Sequence, residues 1–332
     1  MLSVTFFNYE NIIKEEILAM GGNVDLYDER PSNSFYSKAI IRIKRSLYQV
    51  NIDKHYKNII RNIKNKRYDY FLLIKGEVVP VFFLEFLRKE NPEIVFIYYT
   101  YDSFKNNPNG MSILPYFDRK FTFDREDAVK YNLSFRPLFY ASEYATVKQQ
   151  ENKTYKYDLS FIGTAHSDRY SISQKLTDWA KNYNLKMFNF YFSPSKTLFK
   201  FKKLTDKNFK NFDKQNISFK SLSHTQIIGI YKDSKAILDI NHPGQNGLTM
   251  RTFETLGAGR KLVTTNADIK SYPFYNENNI YIIDRQNPKL EKQFFEKEFK
   301  EIESTVYFSM SLIGWIKELF ENESNIWKKI EG

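Results

Sequence analysis

Two successive Rossmann-like α/β domains are expected of this chain on three observations. Its 332 residues are about twice the roughly 150 that one domain takes. Short β-branched and aromatic runs alternate with helical periodicity, the mark of a parallel sheet with crossover helices. The alternation is interrupted by a polar stretch, Gln149, Gln150, Glu151, Asn152, Lys153 and Thr154, and then restarts. The expected boundaries are therefore 1–150, 151–305 and a closing helical segment, 306–332, that returns to the first domain. A cleft between two such domains is where a ligand is expected.

In the first half the expected strands are Leu2 to Phe7, Val24 to Tyr27, Tyr70 to Ile74, Ile94 to Tyr99, Lys120 to Phe123 and Ser134 to Leu138. Between them Ile12, Ile13, Ile17 and Leu18 share one helical face, as do Ile59, Ile60 and Ile63; a further helix begins at Pro80, where a proline has no N–H to lose. In the second half, strands at Leu159 to Ile162, Lys186 to Phe192, Ala236 to Ile240, Lys261 to Thr264 and Ile280 to Ile283 alternate with helices at Arg169 to Asn182 and Met250 to Leu256. From Phe294 to Trp327 the pattern reads as two helices, with Val306, Met310, Ile313, Ile316 and Phe320 on one apolar face.

Composition narrows the chemistry. Fifty Lys plus Arg against 39 Asp plus Glu give a net charge of +11, so an anionic partner is expected. The absence of cysteine excludes disulfides, thiolate zinc sites, iron–sulfur clusters and cysteine nucleophiles, and suits a reducing compartment. The longest apolar stretches, near Val78 to Phe86 and Ile94 to Tyr99, fall short of the roughly 18 residues that a membrane span needs. The start, MLSVTFFNYENII, has no basic region before its apolar segment and does not read as a signal peptide. A cytoplasmic protein is expected, with a place at the inner face of the cell membrane.

That place rests on Lys196 to Lys220, where eight lysines are interleaved with Phe199, Phe201, Phe209, Phe212 and Phe219. Such a stretch suits an anionic membrane, with rings among the headgroups and lysines on phosphates. It equally suits a solvated helix and loop whose phenylalanines enter the core. A nucleic-acid groove would also combine rings and cations, but no DNA- or RNA-binding motif accompanies it, and no nucleic-acid partner is expected.

The four histidines, His55, His166, His224 and His242, lack HExxH spacing; the Asp-x-Asp pattern is missing, and GAGRK at Gly257 to Lys261 is not a phosphate-binding Walker loop. Neither a metal nor another cofactor is expected. Two segments remain. In DLSFIGTAHSDRYSISQKL, Gly163 closes a strand and the next helix offers free N–H groups to a phosphate, with Thr164, His166 and Arg169 as further donors; a plain turn has the same look. In AILDINHPGQNGLTMRTFETLGAGRKLVTTN, a strand ends at Asn241 and a loop leads through His242, Gly247 and Leu248 into a helix whose first turns hold Thr249, Arg251, Thr252 and Glu254. Macrodipole, N–H donors and a guanidinium there suit a diphosphate, and Glu254 suits ribose hydroxyls. Taken singly, Arg251 also fits a surface salt bridge and Glu254 a helix-surface carboxylate.

The run GLTMRTFETLGAGRKLVTTN resembles the donor-nucleotide motif of GT-B glycosyltransferases, and most resembles the CgeB-like branch that serves lipopolysaccharide and capsule biosynthesis. The likeness extends to DLSFIGTAHSDRY and, more weakly, to LLIKGEVV, YYTYDSF and YFDRKFTFDREDAVKYNLSFRPLFY. The resemblance implies a nucleotide-sugar donor on the C-terminal domain and a glycan or lipid-linked acceptor on the N-terminal one. It implies that Gly163, Thr164, His166, Arg169, His242, Gly247, Leu248, Thr249, Thr252 and Glu254 bind the donor. Arg251 would stabilise the leaving diphosphate without a metal. As catalytic base the strand-end carboxylates Glu77 and Asp102 are nominated ahead of Glu10, although each also suits a cap or turn. The alternatives are an epimerase or polyol-phosphate transferase on the same fold, and a polyanion- or sugar-binding protein without catalysis.

Overall fold

A computed structural model of the chain describes residues 1–321 and 326–327 apart from 106, 150–153, 207–208, 210–211, 214–215 and 245–246. It divides into two units, Met1–Pro137 with the chain from Leu312 onward, and Leu138–Ser311. The first division lies ahead of the polar stretch at 149–154, because helix α7 (Ser142–Gln149) packs on the second unit's α10 (His224–Asp233) and α11 (Met250–Gly257). Tyr144 of α7 meets the Tyr231 ring edge-on at 5.1 Å. Gly257 lies so near Tyr140 that an added Cβ would stand 2.3 Å from the ring, which leaves no room for a side chain.

The first unit holds six parallel strands, β1 (Leu2–Ser3), β2 (Tyr27–Asp28), β3 (Tyr70–Ile74), β4 (Val95–Thr100), β5 (Arg119–Thr122) and β6 (Ser134–Phe135). Their order is β2-β1-β3-β4-β5-β6. Among the connecting helices are α1 (Tyr9–Ala19), α2 (Phe35–Lys44), α3 (Gln49–Ile63) and α4 (Val81–Glu90). β3 has the expected bounds, whereas β1 stops at Ser3 and the following rings of Phe6 and Phe7 lie largely exposed. Phe7 and Asn8 then take left-handed backbone, at φ 50° and 69°, which leads into α1 and is incompatible with a strand running to Phe7. Ile59 and Ile63 of α3 sit in the core with Tyr56, Phe83 and Leu73.

The second unit also has six parallel strands: β7 (Tyr157–Thr164), β8 (Met187–Phe192), β9 (Ile217–Ser218), β10 (Ser234–Asp239), β11 (Lys261–Thr264) and β12 (Ile280–Ile282). Their order is β12-β11-β10-β7-β8-β9. β7 continues to β8 on one side while β10 starts the other, so the sheet's direction of growth reverses between β7 and β10. Helix α8 covers Arg169–Asn182, as the periodicity predicts, and α9 covers Lys196–Thr205. Phe199, Phe209 and Phe212 are buried in this unit's core and Phe219 packs against it, leaving Phe201 as the one largely exposed ring of the Lys196 to Lys220 stretch. The rings proposed for headgroup contact are thus mostly core residues, because burying them gains more than leaving them in water.

The C-terminal stretch forms three short helices, α12 (Lys292–Glu296), α13 (Ser304–Ser309) and α14 (Leu312–Glu321), where the sequence suggests two. The break falls where Tyr140 pairs with Ser311 and its N–H donates to the Met310 carbonyl at 2.9 Å. α14 belongs to the first unit. Its Trp315 meets Tyr99 edge-on at 4.8 Å, and its Leu319 carbonyl accepts from Arg119 at 3.0 Å. Glu318 faces Arg136 at 2.6 Å, and that arginine side chain has no solvent exposure. Breaking a buried ion pair strands a charge. Glu318→Ala is therefore expected to destabilise the protein by about 3 kcal/mol, read from the lower midpoint in chemical denaturation; a loss of only about a few tenths of a kcal/mol would show that Arg136 finds other partners.

Candidate functional site

In open parallel sheets, ligands bind beyond the carboxyl ends of the strands, at the point where strand order reverses. In the second unit that point is the end of β10, and three arginines converge on it. Arg251 Nη1 donates to the Asp239 carboxylate at 2.9 Å, Arg169 Nε donates to the Ile240 carbonyl at 3.0 Å, and Arg285 donates to the Asn241 carbonyl at 2.8 Å and to its Oδ1 at 3.0 Å. They reach these consecutive residues from α11, the start of α8 and the loop after β12.

The three cations are balanced unequally. Arg285 forms a two-point bond to Asp168, at 2.7 and 2.8 Å. Burial alone would raise the Asp168 pKa, but Arg285 holds it below the ordinary carboxylate range. Burial also works against the Arg251 charge, yet Asp239, Tyr231 and Glu254 outweigh it and hold its pKa above the usual value. Arg169 binds only the carbonyls of Ile240 and Thr164 among the described residues. Burial and the like charge of Arg251 bring its pKa down to about 10. A partly buried cation without a bound carboxylate is what an anionic ligand would relieve.

Asp239 organises this edge. Besides Arg251 it accepts from Thr249 Oγ1 at 2.7 Å and Thr252 Oγ1 at 2.9 Å, and it is 1% exposed. Thr249 precedes α11, and with its hydroxyl turned to Asp239 it does not cap the helix; Asp168, turned to Arg285, likewise leaves α8 without a side-chain cap. Among the described residues neither Thr249 nor Asp168 caps its helix start, so both positive ends keep free N–H groups. The two threonines thus serve Asp239, which the sequence reading did not single out.

The other expected donor residues divide in the same way. Gly163 is buried in β7, where an added Cβ would stand 2.7 Å from the Phe161 ring; that ring lies beneath Arg251, 5.8 Å from its guanidinium carbon. Thr164 offers its carbonyl to Arg169. His166 and His242 have ring centroids 5.3 Å apart at the same strand ends. Burial first, then Arg169 and His242, push the His166 pKa down to about 4. Gly247 and Leu248 are buried before α11. Glu254, also buried, accepts from Tyr231 Oη at 3.3 Å. Asp168, Asn241 and Arg285 were missed, although each directly follows a predicted strand or its loop, the positions where parallel sheets concentrate ligand contacts.

In the first unit strand order reverses between β1 and β3, and a second polar cluster lies beyond their ends. Lys75 Nζ stands 3.6 Å from Glu77 and 3.4 Å from Asp102, and Arg30 also binds Glu77. Burial would raise the Glu77 pKa, but these cations hold it below the ordinary range. Asp102 is the more exposed carboxylate, at 30% against 11%. Lys75 has φ +90° and Gly76 +73°. A non-glycine residue there costs on the order of 1–3 kcal/mol, and it is held by bonds from Tyr98 Oη and Asn107 Nδ2 to the Lys75 carbonyl, at 2.8 and 2.6 Å. Beneath the turn, Glu29 is fully buried and accepts from the N–H groups of Gly76 and Val78 at 3.1 and 2.5 Å. Burial lifts its pKa to about 7 against the Val78 N–H. Beside the turn, Phe6 stacks on Tyr101 at 5.3 Å and lies near Tyr9 at 6.3 Å. These rings, Lys75 and Glu29 were not foreseen as site residues.

No family model matches the chain, and no curated protein matches it in sequence. Among solved structures it is similar to a glycosyltransferase from Rickettsia africae, with TM-score 0.55 and 12% identity over 97% of this chain and 98% of that one. It is similar to an alpha-glucosyltransferase in complex with UDP and a 13-mer DNA, with TM-score 0.53 and 12% identity over 86% and 82%. The lipopolysaccharide outer core galactosyltransferase WaaB has TM-score 0.50 and 12% identity over 97% and 99%. The fold is GT-B. Its two six-stranded parallel sheets each carry a polar cluster at the reversal of strand order, and among the described residues no three His, Asp or Glu side chains are grouped to hold a metal ion. No described helix is long and apolar enough to cross a membrane.

His166 gives this site a pH signature. In the unfolded chain the ring titrates near the ordinary 6.5, while in the folded protein it stays neutral down to about 4, so the unfolded state alone takes up the proton in that window. Relative to His166→Gln, the wild type is expected to lose on the order of 1–2 kcal/mol of stability as pH falls from about 6.5 to 4, the shift of this half-buried ring being discounted for solvent screening. Glu29 acts in the opposite sense, favouring the fold at low pH, but it is present in both proteins and cancels in the difference. Parallel pH–denaturation curves for the two proteins would refute the assignment.

Proposed function

We propose that the chain is a glycosyltransferase that holds a nucleotide-sugar on the second unit and transfers its sugar, without a metal, to a glycan or lipid-linked acceptor of a bacterial surface polysaccharide. The observation that carries this reading is the convergence of Arg169, Arg251 and Arg285 on Asp239, Ile240 and Asn241. A diphosphate is the ligand that three guanidiniums and two uncapped helix starts would hold together. As the glycosidic bond breaks, negative charge grows on the leaving diphosphate, and fixed cations stabilise that charge without reorganising. Arg169 carries most of this role, since Arg251 and Arg285 are already paired with carboxylates. Glu254, buried within the first turns of α11, is assigned to the ribose.

On the first unit, the Phe6, Tyr9 and Tyr101 rings offer an apolar face for a sugar ring, with polar groups beside it to fix orientation. Of the two nominated bases, Asp102 fits better than Glu77. A general base needs access to the proton it takes, and Glu77 is enclosed between Arg30 and Lys75, whereas Asp102 is the more exposed. Lys75, on its strained turn, aims its charge at both carboxylates and would orient the acceptor hydroxyl's partner.

A structure named as a UDP-N-acetylglucosamine 2-epimerase from Listeria monocytogenes is similar in fold, so the test must separate transfer from epimerisation. A panel of UDP, GDP, CDP, CMP and TDP with their sugar conjugates, with and without magnesium, is expected to give one nucleotide family that raises the melting temperature independently of magnesium. Arg169→Ala should weaken that ligand by roughly tenfold to a hundredfold, the worth of hydrogen bonds to a charged group. Product analysis should show sugar attached to acceptor with release of the nucleoside diphosphate. A sugar inverted at one carbon with no new glycosidic bond would assign the epimerase reaction instead, and no shift with any nucleotide would refute the reading.

A further inference from the structure

A different surface of the first unit carries an unexplained pattern. Tyr36, Ile40 and Ile43 follow one another at spacings of four and three along α2, the spacing of one helical face. The helix is interrupted at Lys44, Leu47 lies on the 3-10 turn that follows and Val50 at the start of α3; all five are exposed, at 78, 37, 85, 72 and 80%. The opposite side of the same segment is conventional: Ile41, Ile52 and Tyr56 enter the core. Single exposed apolar residues are ordinary on protein surfaces, whereas a stripe of five within fifteen residues marks an interaction surface.

Charge identifies what it meets. From Pro31 to Ile52 there is no Asp or Glu, and there are four cations, Lys38, Arg42, Lys44 and Arg45. Arg42 and Lys44 are exposed beside the stripe, and Arg45 donates to the Val78 carbonyl at 3.3 Å, anchoring the segment one residue beyond Glu77. A symmetric contact with a second copy would set these cations against themselves. An anionic lipid surface answers both features, taking aliphatic side chains below the headgroups and pairing cations with phosphates.

We propose that the Tyr36–Val50 stripe is the surface by which this protein seats on an anionic bilayer. The inference is independent of the transferase reading, and its test reads no activity. Flotation of the full chain with vesicles of pure phosphatidylglycerol, compared with pure phosphatidylcholine, is expected to show uptake on the first alone. Ile43→Ser/Leu47→Ser should lower the partition coefficient about tenfold or more, since two buried aliphatic side chains are lost. Arg42→Gln/Lys44→Gln should lower it about fivefold for each cation, and added salt should do the same to the wild type. All four positions are exposed, so unchanged melting temperatures are expected and confirm that the variants fold.

Phe201→Ser/Leu204→Ser, altering the exposed apolar residues of α9, is expected to leave uptake unchanged. The proposal fails if the wild type does not float with phosphatidylglycerol, if it floats equally with phosphatidylcholine, or if Ile43→Ser/Leu47→Ser binds undiminished. It fails equally if the α9 variant is the one that loses uptake. A concentration-dependent dimer in sedimentation, abolished by Ile43→Ser/Leu47→Ser and without vesicle uptake, would assign the stripe to a second copy.

Discussion

A carboxylate can be buried at the end of a parallel strand only if its lone pairs are answered, and Asp239 is answered by Thr249, Arg251 and Thr252. Those three bonds fix where α11 begins and which way its first turn faces. They draw Thr249 away from capping and hold Arg251 over Phe161. The Phe161 ring in turn requires a glycine two residues on, at Gly163. One buried acid thus sets the strand end, the helix start and the aromatic floor between them, and the other two arginines use the backbone that follows it.

The first unit reaches a comparable arrangement by different means. There Asp28, at the end of β2, accepts from Thr5 and Asn33, and the backbone after β3 is bent through two left-handed residues, Lys75 and Gly76, and held from below by Glu29. The consequence is a rigid lysine between two carboxylates that differ in access. The second unit therefore presents three guanidiniums against two carboxylates, and the first presents mixed charge beside the Phe6, Tyr9 and Tyr101 rings.

Much of the framework was legible in the sequence because burial on both faces of a parallel sheet writes itself as apolar runs. β3 and β11 have the bounds that Tyr70 to Ile74 and Lys261 to Thr264 suggest, and α8 runs from Arg169 to Asn182 as its periodicity requires. Arg251 was legible because it shares one short segment with the strand it binds. Arg285 was not, since its partner Asp168 lies 117 positions away and only the folded sheet brings them together. Periodicity also says which residues share a face, but not whether anything covers it. Phe199 and Phe212, which looked available to a membrane, are covered, whereas Ile43 and Leu47, which would pass for core residues, are bare.

The chain passes from the first unit to the second at Pro137 and comes back at Leu312, and the return is not decorative, because Arg136 is fully buried against Glu318. During synthesis the ribosome releases Arg136 long before Glu318, and a guanidinium without its carboxylate resists burial. The second unit, continuous from Leu138 to Ser311, has every residue of its own in hand earlier. The unit whose chain emerges first can therefore complete its own core only after α14 has been made.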